Sequence, residues 1–240
     1  MFDPKNLLDQ FLGPDAASKL QQAGSSAKQQ LDGMGLGGFG GGALAGGLLG
    51  ALLGGKKLQK MAKGAVGYGG AAVVGAMAYK AYENWQQGKV AATAPATTQA
   101  DLGHIDQRFL PGTAPAADGQ PFQLLLIKAM IGAAKADGHI DAQEQNVLFE
   151  QVEKLGLDAG SKAFVFDALR QPADIAGIAA SVNGIEQATE VYLISRIAID
   201  VDQAAERAYL EALAHKLKLP AELVAHLDHQ VEAGINPDQA

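Results

Sequence analysis

Six carboxylates stand in two short clusters, Asp137, Asp141 and Glu144 in the first and Asp200, Asp202 and Glu206 in the second. A hard divalent cation, calcium or magnesium, takes several oxygen ligands, and these six side chains would supply them if the clusters meet. The spacing is not that of an EF-hand loop, whose ligands alternate and end on a glutamate. The same residues have a plainer use. Asp141 followed three residues later by Glu144 is a capping-box pattern, with Gly138 as the left-handed residue after the preceding helix. Carboxylates at a helix start also complement its dipole. Capping explains Asp137 and the second cluster less well, because with Asp202 as cap the residue three on is Ala205 and not a glutamate. Both uses stay open.

Other residues carry less. His139 could add a nitrogen ligand, though a loop histidine usually faces water. Glu222, His226 and His229 share one helix face at a spacing zinc permits, and a solvated face has the same pattern. No nucleophile elbow, phosphate loop or paired acid–base set occurs, so no enzyme is expected. Cysteine is absent, which removes thiolate sites and disulfides. Residues 1–90 carry nine lysines and five acids, whereas residues 91–240 carry ten basic and 21 acidic residues. The acidic half argues against nucleic acid as a partner there, because phosphate contacts need a basic surface.

Helices must position the clusters. Phe122, Leu125, Leu126, Ala129, Met130 and Ala133 recur at helical spacing before Asp137, and Val147, Leu148, Val152 and Leu155 do so after it. Leu193, Ile194 and Ile197 lead into the second cluster and Leu210, Leu213 and Leu217 lead out, closing on Leu217-Lys218-Leu219 as the first copy closes on Leu155-Gly156-Leu157. A helix–acidic loop–helix unit is used twice. The patterns predict an all-α domain over 121–235 with helices near 121–136, 142–155, 159–170, 173–180, 184–199, 203–217 and 221–233.

The N-terminal part reads differently. Residues 1–32 predict amphipathic helices, the first with Leu7, Leu8, Phe11 and Leu12 on one stripe, suited to a membrane surface or to packing on a partner. The N-terminus lacks the pattern of a cleaved signal peptide. Residues 33–87 predict glycine-rich membrane segments. Gly38, Gly42, Gly46, Gly50 and Gly54 recur every four residues through an uncharged run, and Gly67 and Gly75 repeat the theme from Gly64 to Tyr79. Small residues at that spacing let helices approach closely in lipid, giving a glycine zipper that could form a homo-oligomer. Tyr79, Tyr82 and Trp85 suit an interfacial aromatic belt. The lysines between the runs favour the cytoplasmic side, and the side of the C-terminal domain stays open. Pro95, Pro111, Pro115 and Pro121 mark 88–120 as a flexible linker.

The segment Ala133-Ala134-Lys135-Ala136-Asp137-Gly138-His139-Ile140-Asp141-x-x-Glu144, with Ile199-Asp200-Val201-Asp202 and Glu206-Arg207-Ala208-Tyr209-Leu210, resembles the TerB-like (tellurite-resistance protein B) superfamily. With the glycine-rich N-terminal part, the chain resembles bacterial inner-membrane proteins of unknown function that carry a C-terminal TerB-like domain. The second motif departs from the pattern, with Val201 where glycine would stand. The resemblance implies an all-helical bundle, clustered acids that bind metal, and an association with envelope or toxic-oxyanion stress. The expected function is a membrane-anchored, non-enzymatic protein whose acidic domain binds a divalent cation or a protein partner. The alternative is a structural interaction module whose acids only cap helices.

Overall fold

The computed structural model of the protein describes residues 3–12, 70–98, 100–136, 158–199, 201 and 203–234. Among them are eight α-helices and no strand: α1 (Pro4–Leu12), α2 (Gly70–Gln86), α3 (Phe122–Ala134), α4 (Ala159–Arg170), α5 (Ile175–Ala180), α6 (Gly184–Ile197), α7 (Ala204–Lys216) and α8 (Ala221–Ala233). Three 3-10 turns, Ala91–Thr93, Ala100–Gly103 and Gln107–Phe109, lie between α2 and α3. The all-α expectation holds, and helices α3 to α8 fall on the periodic segments that predict them. The segment expected near 142–155 lies outside the described residues.

Local chemistry explains the boundaries. Asp158 begins α4 by accepting from the amides of Gly160 (3.0 Å) and Ser161 (3.4 Å), and Asp174 begins α5 by accepting from Gly177 (2.8 Å). Pro121 and Pro220 stand at the N-caps of α3 and α8. After α7, Lys218 takes φ 57° and the amide of Leu219 returns to the carbonyl of Ala214, closing the helix through a left-handed residue. Val201 also has positive φ, 53°. The left-handed turn that Gly138 is expected to make in the first repeat is therefore made by a β-branched residue in the second, at a conformational cost of about 1–3 kcal/mol.

Helix α6 is the centre, packed against α2, α3, α7 and α8, with every residue from Gln187 to Ile197 buried. Helix α2 packs on α8 and α6, and Val73, Val74, Met77, Ala78 and Ala81 enter the same core as α3 and α6. This corrects the expectation that the second uncharged stretch faces lipid. Its described part is the inner helix of a bundle, and no helix among the described residues is long and apolar enough to cross a membrane. The aromatic trio packs internally: Tyr79 and Tyr82 lie 5.5 and 5.4 Å from the Phe109 ring, and Tyr82 lies 5.6 Å from Trp85. Gly75 is small for a reason other than a zipper. A Cβ there would come 2.1 Å from the Phe109 carbonyl oxygen, so the glycine admits a backbone turn of its own chain. The other zipper glycines, Gly38, Gly42, Gly46, Gly50, Gly54 and Gly67, lie outside the described residues. Helix α1 packs on α3 and α2 through buried Leu7 and Leu8. The described residues thus join one core from both sides of the expected boundary at 121.

Residues 88–98 and 100–120, in the stretch expected as a flexible linker, are strapped across the bundle. Their prolines prevent a helix, so their backbone groups need other partners. Helix α8 provides several. Gln230 accepts from the amide (2.9 Å) and hydroxyl (2.8 Å) of Thr97 and donates to the carbonyl of Pro95 (2.9 Å). His226 and His229 each direct Nε2 at a strap carbonyl, Lys89 (3.1 Å) and Ala94 (3.0 Å). Asn84 of α2 donates to Pro95 (3.0 Å) and accepts from Lys89 Nζ (3.0 Å). Leu102, Phe109 and Ala116 then bury singly in the core. Replacing Gln230 by alanine leaves two buried donors of Thr97 without an acceptor. We expect Gln230→Ala to lower stability in urea unfolding by about 2–4 kcal/mol, with faster hydrogen exchange at the Thr97 amide.

Candidate functional site

The described surface has a cleft of about 380 Å³ between α3, α4, α5 and the connection 171–174. One wall is a single stripe of α3: Leu125, Lys128, Gly132 and Lys135 follow at three, seven and ten residues, a helical face. The facing wall is Phe164, Asp167 and Ala168 of α4, and Ile178 of α5 closes the end. A neighbouring hollow of about 440 Å³ shares Leu125, Lys128 and Phe164 and extends to Asp118 and Gln120. Lys128 and Phe164 therefore form the ridge between two concavities.

Each charged group in the cleft has a distinct environment. Lys135 Nζ donates to the carbonyls of Leu169 (2.7 Å) and Gln171. Those carbonyls close α4, where the last turn lacks intrahelical donors and the dipole favours a cation. The contact ties α3 to α4, and burial lowers the Lys135 pKa from its ordinary value. Asp174 is occupied as the cap of α5. Lys128 is exposed and sits over the Phe164 ring, 5.7 Å from its centroid. Asp167 is exposed as well, and among the described residues neither Lys128 nor Asp167 makes an ion pair.

Behind the α3 wall lies Tyr209 of α7. Its hydroxyl is buried without a hydrogen-bond partner, and burial pushes its pKa up. A Cβ on Gly132 would stand 2.9 Å from that hydroxyl and 3.5 Å from Ile178 Cδ1. Gly132 therefore keeps the wall thin where Tyr209 approaches it.

The acidic clusters are placed only in part. Asp137, Asp141, Glu144, Asp200 and Asp202 lie outside the described residues. Glu206 accepts from the amide of Gln203 (3.1 Å) at the start of α7 and completes a capping box. The cap is Gln203, one residue beyond Asp202, so the glutamate is three residues on after all. Among the described residues no group of three or more His, Asp or Glu could hold a metal ion. Glu222, His226 and His229 are neither a zinc site nor a solvated face: His226 is buried, and both imidazoles latch the strap.

Two groups escaped sequence reasoning. Lys128 is the sole charge of α3, its surface position between Phe122 and Ala133, and a lysine seven residues later shares its face; that pattern was readable. Glu190 was not. It sits mid-α6, 1% exposed, with neither carboxylate oxygen hydrogen-bonded. Burial raises its pKa well above the ordinary 4.5.

The family model described as "Protein of unknown function (DUF533)" matches residues 38–231. The chain is also similar to "Uncharacterized protein in ampR 5'region" of Yersinia enterocolitica, with 36% identity over 98 residues, which are 41% of this chain and 70% of that protein. No solved structure matches it.

Glu190 gives the core a pH signature. The unfolded chain releases this proton near 4.5 while the native state holds it to higher pH. Its contribution to stability is therefore fully present below 4.5 and is lost as pH rises through the raised value. We expect Glu190→Gln to flatten this loss and to be more stable than wild type at pH 8, read from chemical unfolding at pH 4 to 8.

Proposed function

The chain belongs to the DUF533 family, and we propose that it works by binding, without catalysis, with the α3–α4–α5 cleft as the ligand seat. The observation that carries this reading is a cleft fixed by its own residues: Lys135 fastens the end of α3 to the end of α4, and Gly132 keeps the α3 wall thin in front of Tyr209. Its size falls within the range of small-molecule sites, about 300–1,000 Å³. Its charged groups either serve helix ends or stand apart on facing walls, a layout for recognition. The TerB-like resemblance supports a non-catalytic role. Saturation-transfer NMR with a mixture of small amphipathic organic molecules tests it. Signals from bound molecules should be lost in Ala168→Trp, which fills the cleft; equal signals in that variant would sink the assignment.

For the acidic clusters, the capping box at Glu206 favours the reading in which carboxylates start helices. We expect calcium and magnesium to leave the thermal midpoint of the protein unchanged. A bound ion at a hundred times its dissociation constant would stabilise by about 2.7 kcal/mol, a rise of several degrees, and that rise would restore the cation site.

A further inference from the structure

We propose that the cleft takes a small zwitterion, an α-amino acid or dipeptide with an apolar side chain, its carboxylate at Lys128 and its ammonium at Asp167. This rests on the cleft being the ligand seat and adds the chemistry of what occupies it.

The argument is one of uncommitted charge. Four charged residues line the cleft. Lys135 is spent on two backbone carbonyls and Asp174 on the first turn of α5. Lys128 and Asp167 remain, opposite in sign, on different helices, facing the same hollow and not paired with each other. Both line one cleft, and among the described residues neither makes an ion pair. Asp167 lies one helical turn beyond Phe164, whose ring carries Lys128, so the two charges flank one aromatic surface. Leu125 and Ile178 extend that surface. A purely anionic ligand would face Asp167 unmatched, and a cation would face Lys128 in the same way; like-charge or unmatched contacts penalise both. A zwitterion matches both walls and lays its side chain on the ring.

Isothermal titration on the full chain tests this with phenylalanine and leucyl-phenylalanine as zwitterions, N-acetylphenylalanine as the anion and phenethylamine as the cation. We expect the zwitterions to bind about two- to fivefold more tightly than either singly charged analogue, the range that one contact to an exposed charge supplies. Lys128→Met should reduce zwitterion binding to the level of the amine, and Asp167→Asn to the level of the acid; both positions are exposed, so the fold is retained. Equal binding of all four probes, or binding indifferent to both substitutions, overturns the zwitterion. So does no heat from either zwitterion at about 10 mM, a level at which even very weak sites fill. These failures are separable from failure of the cleft itself, which is read from the mixture experiment with Ala168→Trp.

Discussion

Helix α6 sets the constraint that the rest of the bundle satisfies. A helix surrounded on every side can expose none of its polar side chains, so each must find a partner inside. Thr189 and Ser195 turn their hydroxyls back onto the carbonyls four residues earlier, at 2.6 and 2.8 Å. Gln187 accepts from the amide of Asn183 (2.8 Å) and reaches the strap carbonyl of Pro115 (3.0 Å). Arg196 is paired with Asp228 of α8 (3.2 Å), which also accepts from Tyr192 (3.1 Å). These contacts orient α8 and the strap around α6 while solving its polar accounting. Glu190 stands outside that solution, and burial answers by keeping it protonated.

The strap depends on the same economy. An irregular, proline-bearing segment across a core needs acceptors and donors from its neighbours. Residues 226, 229 and 230 of α8 form one face that meets the Lys89, Ala94, Pro95 and Thr97 backbone in sequence order. Once that face is engaged, Phe109 can reach the rings of Tyr79 and Tyr82, and its carbonyl can approach α2 only because position 75 lacks a side chain. The glycine of α2, the prolines of the strap and the amides and imidazoles of α8 are thus parts of one joint.

What could be read in the sequence follows from periodicity. The helices from Phe122 onward bury stripes or whole turns and therefore repeat, and their starts are marked by Asp158, Asp174, Pro121 and Pro220. Helix α2 was visible as an uncharged run but not as a core helix, because glycine and alanine next to Val73, Val74 and Met77 serve equally for packing in lipid or in a bundle. The strap was illegible for the opposite reason: Leu102 and Phe109 are buried one at a time, and single anchors leave no period. His226 looked like part of a polar face since its partner is a backbone carbonyl, which no side-chain pattern announces. Of the cleft, Lys128 of α3 and Lys135 at its C-cap were readable, while Asp167 owes its meaning to the helix opposite.

The cleft is what the bundle leaves when its own needs are met. Lys135 is required to finish α4 and Asp174 to begin α5, and those duties fix the two ends of the wall. Tyr209 packs so close behind α3 that a Cβ at 132 would crowd its hydroxyl. None of these demands involves Lys128 or Asp167. Lys128 is the exposed position of an otherwise buried helix and sits over the Phe164 ring, and neither it nor Asp167 makes an ion pair among the described residues. Under the proposed reading these two charges are the ones a ligand would use, in contrast to the carboxylate of Glu206, whose hydrogen bond the helix already consumes.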